Sequence, residues 1–533
     1  MSALLEPVGR REAGVGLLVR LAVRRDRVLV GVWFAVLLLV CFASASSTTS
    51  IYPTEADQVG AARAINDSPG LVALYGPILD VHSLGELSMT KMTVLYSLLV
   101  AIMMLFVVRR HTRLEEENGQ TELLAGTAIT REAPLVAAIA YGWGVSLVLG
   151  LLAVAVDIAG GLPATGSVAF GASWAGTGLV ATGVTAVACQ LSASARTCAG
   201  LASTALGVLY VLRAVGDTSG AGWLSWLTPF GWNTQLRAFG STRWWIPLLY
   251  VALALSLAGV ARLLAHRRDL GSGLVAARPR PATGSPRLAD AMSLAVRAHT
   301  PMLVGWSVGI GVMGVVFGAI SPSFDAFSSD QLQQMLERIG GAGAFRDVLL
   351  GAVIAVMALV ITCFAVAVVG HSGADEHDGR TEQVLATATS RSRTFLATVA
   401  VGLGGATWLL LVAGVAIALG VGNGSDHSFG VLVGAAVAQA PAMWTVASLA
   451  VLCFCWRSHW AVLGWGVVVL FSTLGQVGEL LGLPGWVLDL SPYNHAPRMP
   501  LEDFSPGPAV ALTAIAAGLL LVSWWRYRSR DIG

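Results

Sequence analysis

Two polar loops of this sequence carry acidic residues, a glycine and threonines in the same order. The first loop, Arg113–Arg131, reads RLEEENGQTELLAGTAITR, and the second, Asp375–Arg391, reads DEHDGRTEQVLATATSR. Aligned without a gap over seventeen positions, they share seven residues: Glu116 with Glu376, Gly119 with Gly379, Thr121 with Thr381, Glu122 with Glu382, Thr127 with Thr387, Ala128 with Ala388, and Arg131 with Arg391. This agreement indicates that one module is written twice in the chain.

The residue types of these loops suggest protein binding rather than catalysis. The acids come first, the glycine can interrupt a helix, and Thr121 or Thr381 can cap a new one. Apolar residues follow at once, as Leu123 and Leu124 in one copy and as Val384 and Leu385 in the other. Exposed apolar groups are usually covered by a partner, so we predict a short helix that docks into a groove of a soluble protein. The alternative is an ordinary solvated turn.

The lysine content excludes an ATP-hydrolysing site of the P-loop kind in this chain. A P-loop reads G-x-x-x-x-G-K-[ST], and its lysine reaches the β- and γ-phosphates. Lys91 is the single lysine, and no glycine loop precedes it in LSMTKMTV. Any nucleotide hydrolysis must therefore come from another polypeptide.

Ion coupling and metal binding are not favoured either. A protein that carries protons or sodium usually keeps ionisable residues inside its membrane spans. The candidates here lie at the ends of apolar runs: Asp157, Arg213, Asp347 and Glu479 at outer ends and Arg262 at an inner end. Cys453 and Cys455 lie in an apolar run without companion ligands, so they are interpreted as packing residues.

The composition indicates a membrane protein that crosses the bilayer many times. Hydrophobic residues make up 55% of the 533 residues and charged residues 12%, about half of the usual fraction of roughly 25%. The apolar residues form runs of about 20, long enough for a helix to cross a hydrocarbon core roughly 30 Å thick. The predicted spans are 28–46, 90–108, 133–158, 168–191, 198–215, 244–265, 300–320, 348–370, 394–420, 429–454, 459–482 and 508–526.

These spans divide into two sets of six, and the basic residues set their orientation. We predict a first half at 1–265, a basic, proline-containing cytoplasmic linker at 266–297 and a second half at 298–533. With both termini cytoplasmic, the inner segments hold 25 of the 33 basic residues, as the positive-inside rule requires. Both repeated loops then face the cytoplasm, and the halves share one topology about an axis along the membrane normal.

The pattern E-x-x-G-x-T-E-x-L, between the second and third spans of a six-span module, resembles the coupling region of type-2 ABC exporter permeases. One chain with two such modules resembles the bacterial polyketide-antibiotic (tetronasin-type) multidrug exporter family. The resemblance implies an all-α polytopic protein with twelve transmembrane helices in two pseudo-symmetric halves, of the ABC-2 (type V) exporter kind. It implies that the shared loop residues, with Leu123, Leu124, Val384 and Leu385, contact an ATPase. His377, Arg380 and Gln383 replace Glu117, Gln120 and Leu123 in the second copy, so the two docking sites can be unequal.

The resemblance also implies partners, a location and a transport path. Two copies of a separate ABC ATPase would hold ATP and Mg²⁺, and this chain would need no cofactor and no nucleic acid. The protein would lie in the bacterial cytoplasmic (inner) membrane and export apolar or amphipathic compounds such as antibiotics. The first, second and fifth spans of each half would line the path, with the candidates Trp33, Phe34, Met103, Met104 and Trp306; the alternative for these residues is simple packing.

Two other functions remain open at this stage. An ion-coupled secondary multidrug transporter predicts efflux that collapses with the proton gradient, although RRHTRLEEENG lacks the D-R-x-G-R pattern expected of a twelve-span facilitator. A non-transporting membrane scaffold or drug-sequestering resistance protein predicts no dependence on energy.

Outside the membrane, Ser328 and Gln331 predict a capping box for an amphipathic helix that carries Leu332, Met335, Leu336 and Ile339.

Overall fold

The computed structural model describes residues 14–126, 129–275, 288, 290–321, 344–422, 428–476, 484–497, 499–500 and 504–531. Every regular element in these ranges is helical. The chain forms two compact units, Met1–Arg280 and Pro281–Gly533.

The first unit contains six long apolar helices and one short helix at the repeated loop. In chain order they are α1 (Val15–Ile51), α2 (Leu84–Glu117), α3 (Gln120–Ala125, the short helix), α4 (Ala133–Ala159), α5 (Ala164–Leu191), α6 (Ala195–Thr218) and α7 (Ile246–His266). Short helices Glu55–Asn66, Pro69–Tyr75, Trp223–Trp226 and Pro229–Gln235 occupy the longer connections.

The second unit follows the same order of elements. Its helices are α8 (Ala291–Ile320), α9 (Ala344–His377), α10 (Arg380–Leu385, the short helix), α11 (Arg391–Val421), α12 (Phe429–Trp456), α13 (Leu463–Gln476) and α14 (Pro506–Ser529). Its short helices are Ser458–Val462, Gly485–Leu488 and Pro492–His495.

Eleven helices in the described ranges are long and apolar enough to cross a membrane. All the predicted spans except 459–482 correspond to one of them. At 459–482 the described residues form Ser458–Val462 and α13, and 477–482 lie outside the described ranges. The predicted outer helix that follows Ser328 also lies outside them.

Several helices begin earlier than the apolar runs predicted. The first run begins at Val28, but α1 begins at Val15 and passes through Arg20, Arg24 and Asp26. Helical hydrogen bonds do not require apolar side chains, and the buried Asp26 carboxylate is neutralised by Arg110 and His111 of α2. The ends of an apolar run therefore locate a span but not the ends of its helix.

In both units the helix that follows the third span is central. In the first unit α5 packs against α2, α4, α6 and α7, and in the second α12 packs against α9, α13 and α14. Glycines permit a close crossing in the first unit, because a Cβ at Gly150 of α4 would lie 2.5 Å from the carbonyl oxygen of Gly171 of α5. Backbones approach this closely only where side chains are absent.

At both ends of the predicted linker 266–297, described residues belong to the adjoining units. Residues 268–275 belong to the first unit, since the N–H groups of Leu274 and Val275 donate to the carbonyls of Gln190 and Leu191. At the other end, α8 begins at Ala291, where Asp290 and Ser293 form a capping box. A polar, proline-containing composition alone did not reveal these anchors.

Candidate functional site

The two repeated loops have the same backbone path. In each, a long membrane helix ends, one glycine turns the chain, and a helix of six residues begins: α3 after Gly119 and α10 after Gly379. Gly119 has φ 71° and ψ 4°, and Gly379 has φ 70° and ψ 7°. This left-handed conformation is strained for residues with a Cβ, which explains why both copies have glycine here.

The prediction that Thr121 and Thr381 cap the new helices is wrong. The N-cap positions are Gly119 and Gly379 themselves, and no side chain caps either helix. Both threonines lie inside the first turn instead. The glycine already sets the conformation of the cap, so the chain reaches helical geometry two residues earlier than a threonine cap would allow.

The short helices present acidic and apolar groups to solvent. Leu123 is 79% exposed, and its counterpart Gln383 is exposed as well. Glu122 and Glu382 are exposed, whereas Val384 and Leu385 are half-buried. The surface of α3 is therefore more apolar than that of α10. That the two helices are unequal docking sites stays a prediction.

Glu116 does not face solvent, contrary to the expectation that it meets an ATPase surface. The Arg268 guanidinium binds its two carboxylate oxygens at 2.6 and 2.9 Å. The backbone N–H of Gly271 donates to it at 2.7 Å, and Arg113 lies 3.1 Å away. Glu116 is only 8% exposed. It thus fastens the end of α2 to the chain just beyond α7.

Glu376 makes the equivalent contact in the second unit, and the same correction applies to it. Its carboxylate pairs with Arg530 at 2.5 Å, and the two side chains are 7% and 6% exposed. Arg530 follows α14 as Arg268 follows α7. The guanidinium of Arg530 also lies over the rings of Phe454 and Tyr527, 4.9 and 5.1 Å from their centroids.

The other end of each loop is fastened at the same place. Arg131 donates to the carbonyl of Arg268. Arg391 donates to the carbonyls of Arg528 and Arg530 at 3.0 and 2.7 Å. Each short helix therefore lies between two contacts with the end of the last helix of its own unit. We call this pair of contacts the loop anchor.

The two anchors differ in how they reach the central helix. In the first unit Arg113 donates to the carbonyl of Cys189 at the end of α5, at 3.1 and 2.9 Å. Gly373 stands at the corresponding position of the second copy. There Arg530 itself donates to the carbonyl of Phe454 in α12, at 3.1 Å. One arginine thus does in the second unit what Arg113 and Arg268 share in the first.

Sequence reasoning missed Arg268 and Arg530, which it counted only as cytoplasmic charges. A signal was present, since each arginine comes just after the last helix of its half. Its counterpart carboxylate is more than 150 residues away, however, and no local pattern connects the two.

Arg380 occupies the first position of α10, where the first copy has Gln120. It pairs with Asp375 at 2.7 Å and with Asp378 at 2.8 Å. The hydrogen bond to Asp375 raises the pKa of this guanidinium above its usual value. The second loop therefore carries its charges as exposed local pairs.

Comparison with known proteins agrees with a transport role. Residues 288–528 match a family model described as the C-terminal domain of the multidrug efflux system permease Rv1217c. The multidrug efflux system permease protein Rv1217c of Mycobacterium tuberculosis (strain ATCC 25618 / H37Rv) is 36% identical over 522 residues, which cover 97% of this chain and 94% of that protein. This chain belongs to that multidrug efflux permease family. It is therefore a multi-pass membrane protein and a transport component rather than an enzyme.

The permease buries two of the residues predicted for its transport path. Met103 and Met104 are fully buried in the core of the first unit, so they do not line an open path in this conformation. Trp33 and Phe34 are half-buried beside the same core. Trp306 packs edge-to-face on Phe364, with ring centroids 6.0 Å apart. A path role for these three aromatic residues stays a prediction.

Four of the six cysteines are buried, and Cys363 and Cys453 are half-buried. All six are free thiols, and Cys455 is fully buried. In the described part of the chain, no group of three or more His, Cys, Asp or Glu residues could hold a metal ion.

Proposed function

We propose that this permease is the membrane subunit of an ATP-driven exporter of apolar or amphipathic compounds, and that a separate ABC ATPase powers it. The observation that carries the proposal is the anchored short helix, built twice. Each copy exposes a small acidic surface, with an exposed leucine in the first copy, and is fastened by a buried ion pair to a membrane helix. A surface that receives force from a partner needs a rigid connection to the moving helices. An ordinary solvated turn needs no such connection.

The proposed mechanism uses the loop anchors as mechanical links. Two copies of the ATPase, with ATP and Mg²⁺, bind α3 and α10. When the ATPase pair closes, these helices move, and the Glu116–Arg268 and Glu376–Arg530 pairs carry the movement to α7 and α14. The membrane helices then change between inward- and outward-facing states.

The finer architecture belongs to the same proposal. Twelve membrane helices form two pseudo-symmetric halves with both termini in the cytoplasm of a bacterium. The common packing of both units supports it: the first long helix lies on the third, and the fourth lies on the sixth. Polyketide antibiotics of the tetronasin type are candidate substrates, as the resemblance of the repeated loops implies.

The source of energy separates this function from a secondary transporter. In inverted membrane vesicles that contain the permease and its ATPase, ATP should drive accumulation of an amphipathic dye even after an ionophore has dissipated the proton gradient. Accumulation that follows the proton gradient and ignores ATP would contradict the proposal. Uptake that needs neither would indicate a sequestering protein.

The purified permease should not hydrolyse ATP by itself. Its single lysine, Lys91, lies within helix α2 and not in a phosphate-binding loop. Phosphate release should stay at the level of empty membranes until the ATPase is added. Robust hydrolysis by the permease alone, free of contaminating ATPase, would refute the assignment.

Reversing the exposed acids Glu122 and Glu382 to arginine should weaken ATPase binding only at low salt. Exposed ion pairs contribute roughly 0.2–1 kcal/mol each and are screened by salt. Co-purification should therefore fall several-fold at low salt and recover at high salt, while the melting temperature of the permease stays the same. At low salt, the neutral variants Glu122→Gln and Glu382→Gln should retain more ATPase than the arginine variants and less than the parent. Equal binding by all variants at low salt would remove these acids from the interface.

A further inference from the structure

The second unit contains an open groove beside its short helix α10. The groove has a volume of about 640 Å³ and lies between the first turns of α8, the helix α10 and the start of α11. Drug-sized ligands occupy sites of roughly 300–1,000 Å³. The space is therefore large enough for one such molecule.

The walls of the groove are apolar at the bottom and rich in hydroxyl groups at the rim. Phe395, Phe454 and Tyr527 form the floor, with the ring centroids of Phe395 and Phe454 at 5.8 and 6.0 Å from that of Tyr527. Five threonines contribute to the rim: Thr381, Thr387, Thr389, Thr394 and Thr398. A ligand with an aromatic or alicyclic body and oxygen substituents matches both surfaces.

The charges around the groove do not select an ion. Asp375 and Arg380 both line it and pair with each other at 2.7 Å. Asp290 is exposed to solvent at the rim, where it caps α8. Arg530, whose guanidinium lies over the rings of Phe454 and Tyr527, is paired with Glu376 and does not line the groove. The lining therefore favours an uncharged amphipathic compound.

The first unit has the same place in its fold, but there the part between α1, α2 and α4 is closed, and a cavity of about 150 Å³ remains beside Thr121 and Leu124 of α3. Setting Trp306 on Trp33, together with the loop alignment, matches Leu18, Leu21, Ala22, Glu115, Pro134, Ala137 and Ala138 with Ala291, Leu294, Ala295, Asp375, Thr394, Ala397 and Thr398. The first set lines a cavity of only about 20 Å³, and the second set lines the groove. The repeat thus supplies an internal comparison.

An ion-pair cluster accounts for the closed state. In the first unit Asp26 of α1 contacts His111 of α2 at 2.7 Å and Arg110 at 3.2 Å. Glu115 joins the cluster through His111 at 3.2 Å and Arg25 at 2.6 Å. These contacts draw the start of α1 onto the end of α2, where the side chains fill the space.

The second unit has lost this cluster. By the same alignment, His299 and Gly370 replace Asp26 and Arg110, whereas His111 is kept as His371. The two histidine rings meet edge-to-face with their centroids 5.8 Å apart. Among the described residues no ion pair joins α8 to α9. Without this attraction, the start of α8 leaves the groove open.

We infer that this groove binds an uncharged, amphipathic, drug-sized compound, one molecule per chain. The inference deepens the proposed function, on which it rests for the view that such compounds are transported. Thr381 and Val384 lie on α10 and line the groove, so a bound compound touches the helix to which the ATPase binds. The site thus connects substrate occupancy directly with the power stroke.

A segment of the ATPase is the competing occupant, and the repeat argues against it. Two ATPase copies would meet both short helices, so a groove built for the ATPase is expected in both units. Among the described residues, the space beside α3 in the first unit is a cavity of about 150 Å³, against about 640 Å³ beside α10 in the second. An asymmetric site suits a small molecule of which one copy is exported at a time.

The test measures binding of N-phenyl-1-naphthylamine, an uncharged amphipathic fluorophore, to the full-length permease in lipid nanodiscs without ATPase or ATP. Ala295→Trp places an indole in the groove, and Ala298→Trp does so one turn farther along α8. Val296→Trp is the matched control, since Val296 is 48% exposed and does not line the groove. We expect saturable binding by the parent and the control, and at least tenfold weaker binding by both groove variants.

Equal binding by the groove variants and the control would overturn the inference, and so would no binding above empty nanodiscs by the parent. Loss of ATPase co-purification in the groove variants with unchanged fluorophore binding would assign the groove to the ATPase instead. Because this assay contains neither ATPase nor ATP, its failure leaves the ATP-driven export unaffected. Failure of ATP-driven export would in turn leave fluorophore binding intact.

Discussion

Replacing Glu376 by arginine should abolish most ATP-driven export, although this carboxylate never reaches the surface. The change puts two guanidinium groups where one ion pair was, at a site where both side chains are less than a tenth exposed. Breaking a buried ion pair typically costs about 3–5 kcal/mol. We therefore expect a lower melting temperature and, in vesicles, dye accumulation below roughly a tenth of the parent, because the moving loop is no longer fastened to α14.

A charge swap and a neighbouring control make this prediction specific. The double variant Glu376→Arg with Arg530→Glu should regain part of the export, since the pair is restored with its charges exchanged. It should not regain all of the parent's export, because Arg530 also donates to the carbonyl of Phe454 and the glutamate cannot replace that hydrogen bond. Arg528→Glu reverses a charge two residues away on an exposed side chain whose guanidinium lies over Trp524, and it should be nearly silent. Normal export by Glu376→Arg, or a loss of export in Arg528→Glu, would contradict the proposed role of the loop anchor.

The corresponding change in the first unit, Glu116→Arg, should lower the melting temperature and the ATP-driven export further than Glu376→Arg does. Glu116 neutralises two arginines, Arg113 and Arg268, and also accepts the N–H of Gly271. Glu116→Arg leaves three buried cations together, whereas Glu376→Arg leaves two. Both single variants should still insert into the membrane, since insertion depends on the apolar spans.

Replacing Leu123 by aspartate should weaken ATPase binding strongly without changing the stability of the permease. Leu123 is 79% exposed, so the folded permease gains little from it. Burying a leucine against a partner contributes about 1.5–3 kcal/mol, and about 1.4 kcal/mol corresponds to a tenfold change in affinity. Co-purification of the ATPase should fall roughly tenfold to a hundredfold, and the loss should persist at high salt.

The second copy provides the matched control. Gln383 occupies the place of Leu123 and is also exposed, so Gln383→Asp removes no apolar contact. It should reduce ATPase binding far less than Leu123→Asp. If the two changes have equal effects, the apolar contact is not what holds the ATPase. If Leu123→Asp lowers the melting temperature, Leu123 supports the permease fold instead.

The sequence alone determined eleven of the twelve predicted spans, the repeat and the turn at each glycine. The predicted run 133–158 corresponds to α4, Ala133–Ala159, and 168–191 corresponds to α5, Ala164–Leu191. Hydrophobic runs are local, and a left-handed turn after a helix favours glycine wherever the rest of the chain lies. Both features could therefore be predicted without knowing what packs against what.

Only the tertiary structure decided the roles of the charges. Glu116 and Glu122 look alike in the sequence, yet one is an internal anchor and the other a surface acid, because the chain beyond α7 returns to cover the first. The groove likewise depends on one position in the first helix of each unit. Asp26 of α1 pairs with His111 of α2, whereas His299 of α8 meets a second histidine, His371 of α9. Such differences arise from side chains that are far apart in sequence and meet only when the helices pack. In a low-dielectric interior, that meeting determines whether a charge is paired and buried or left in water.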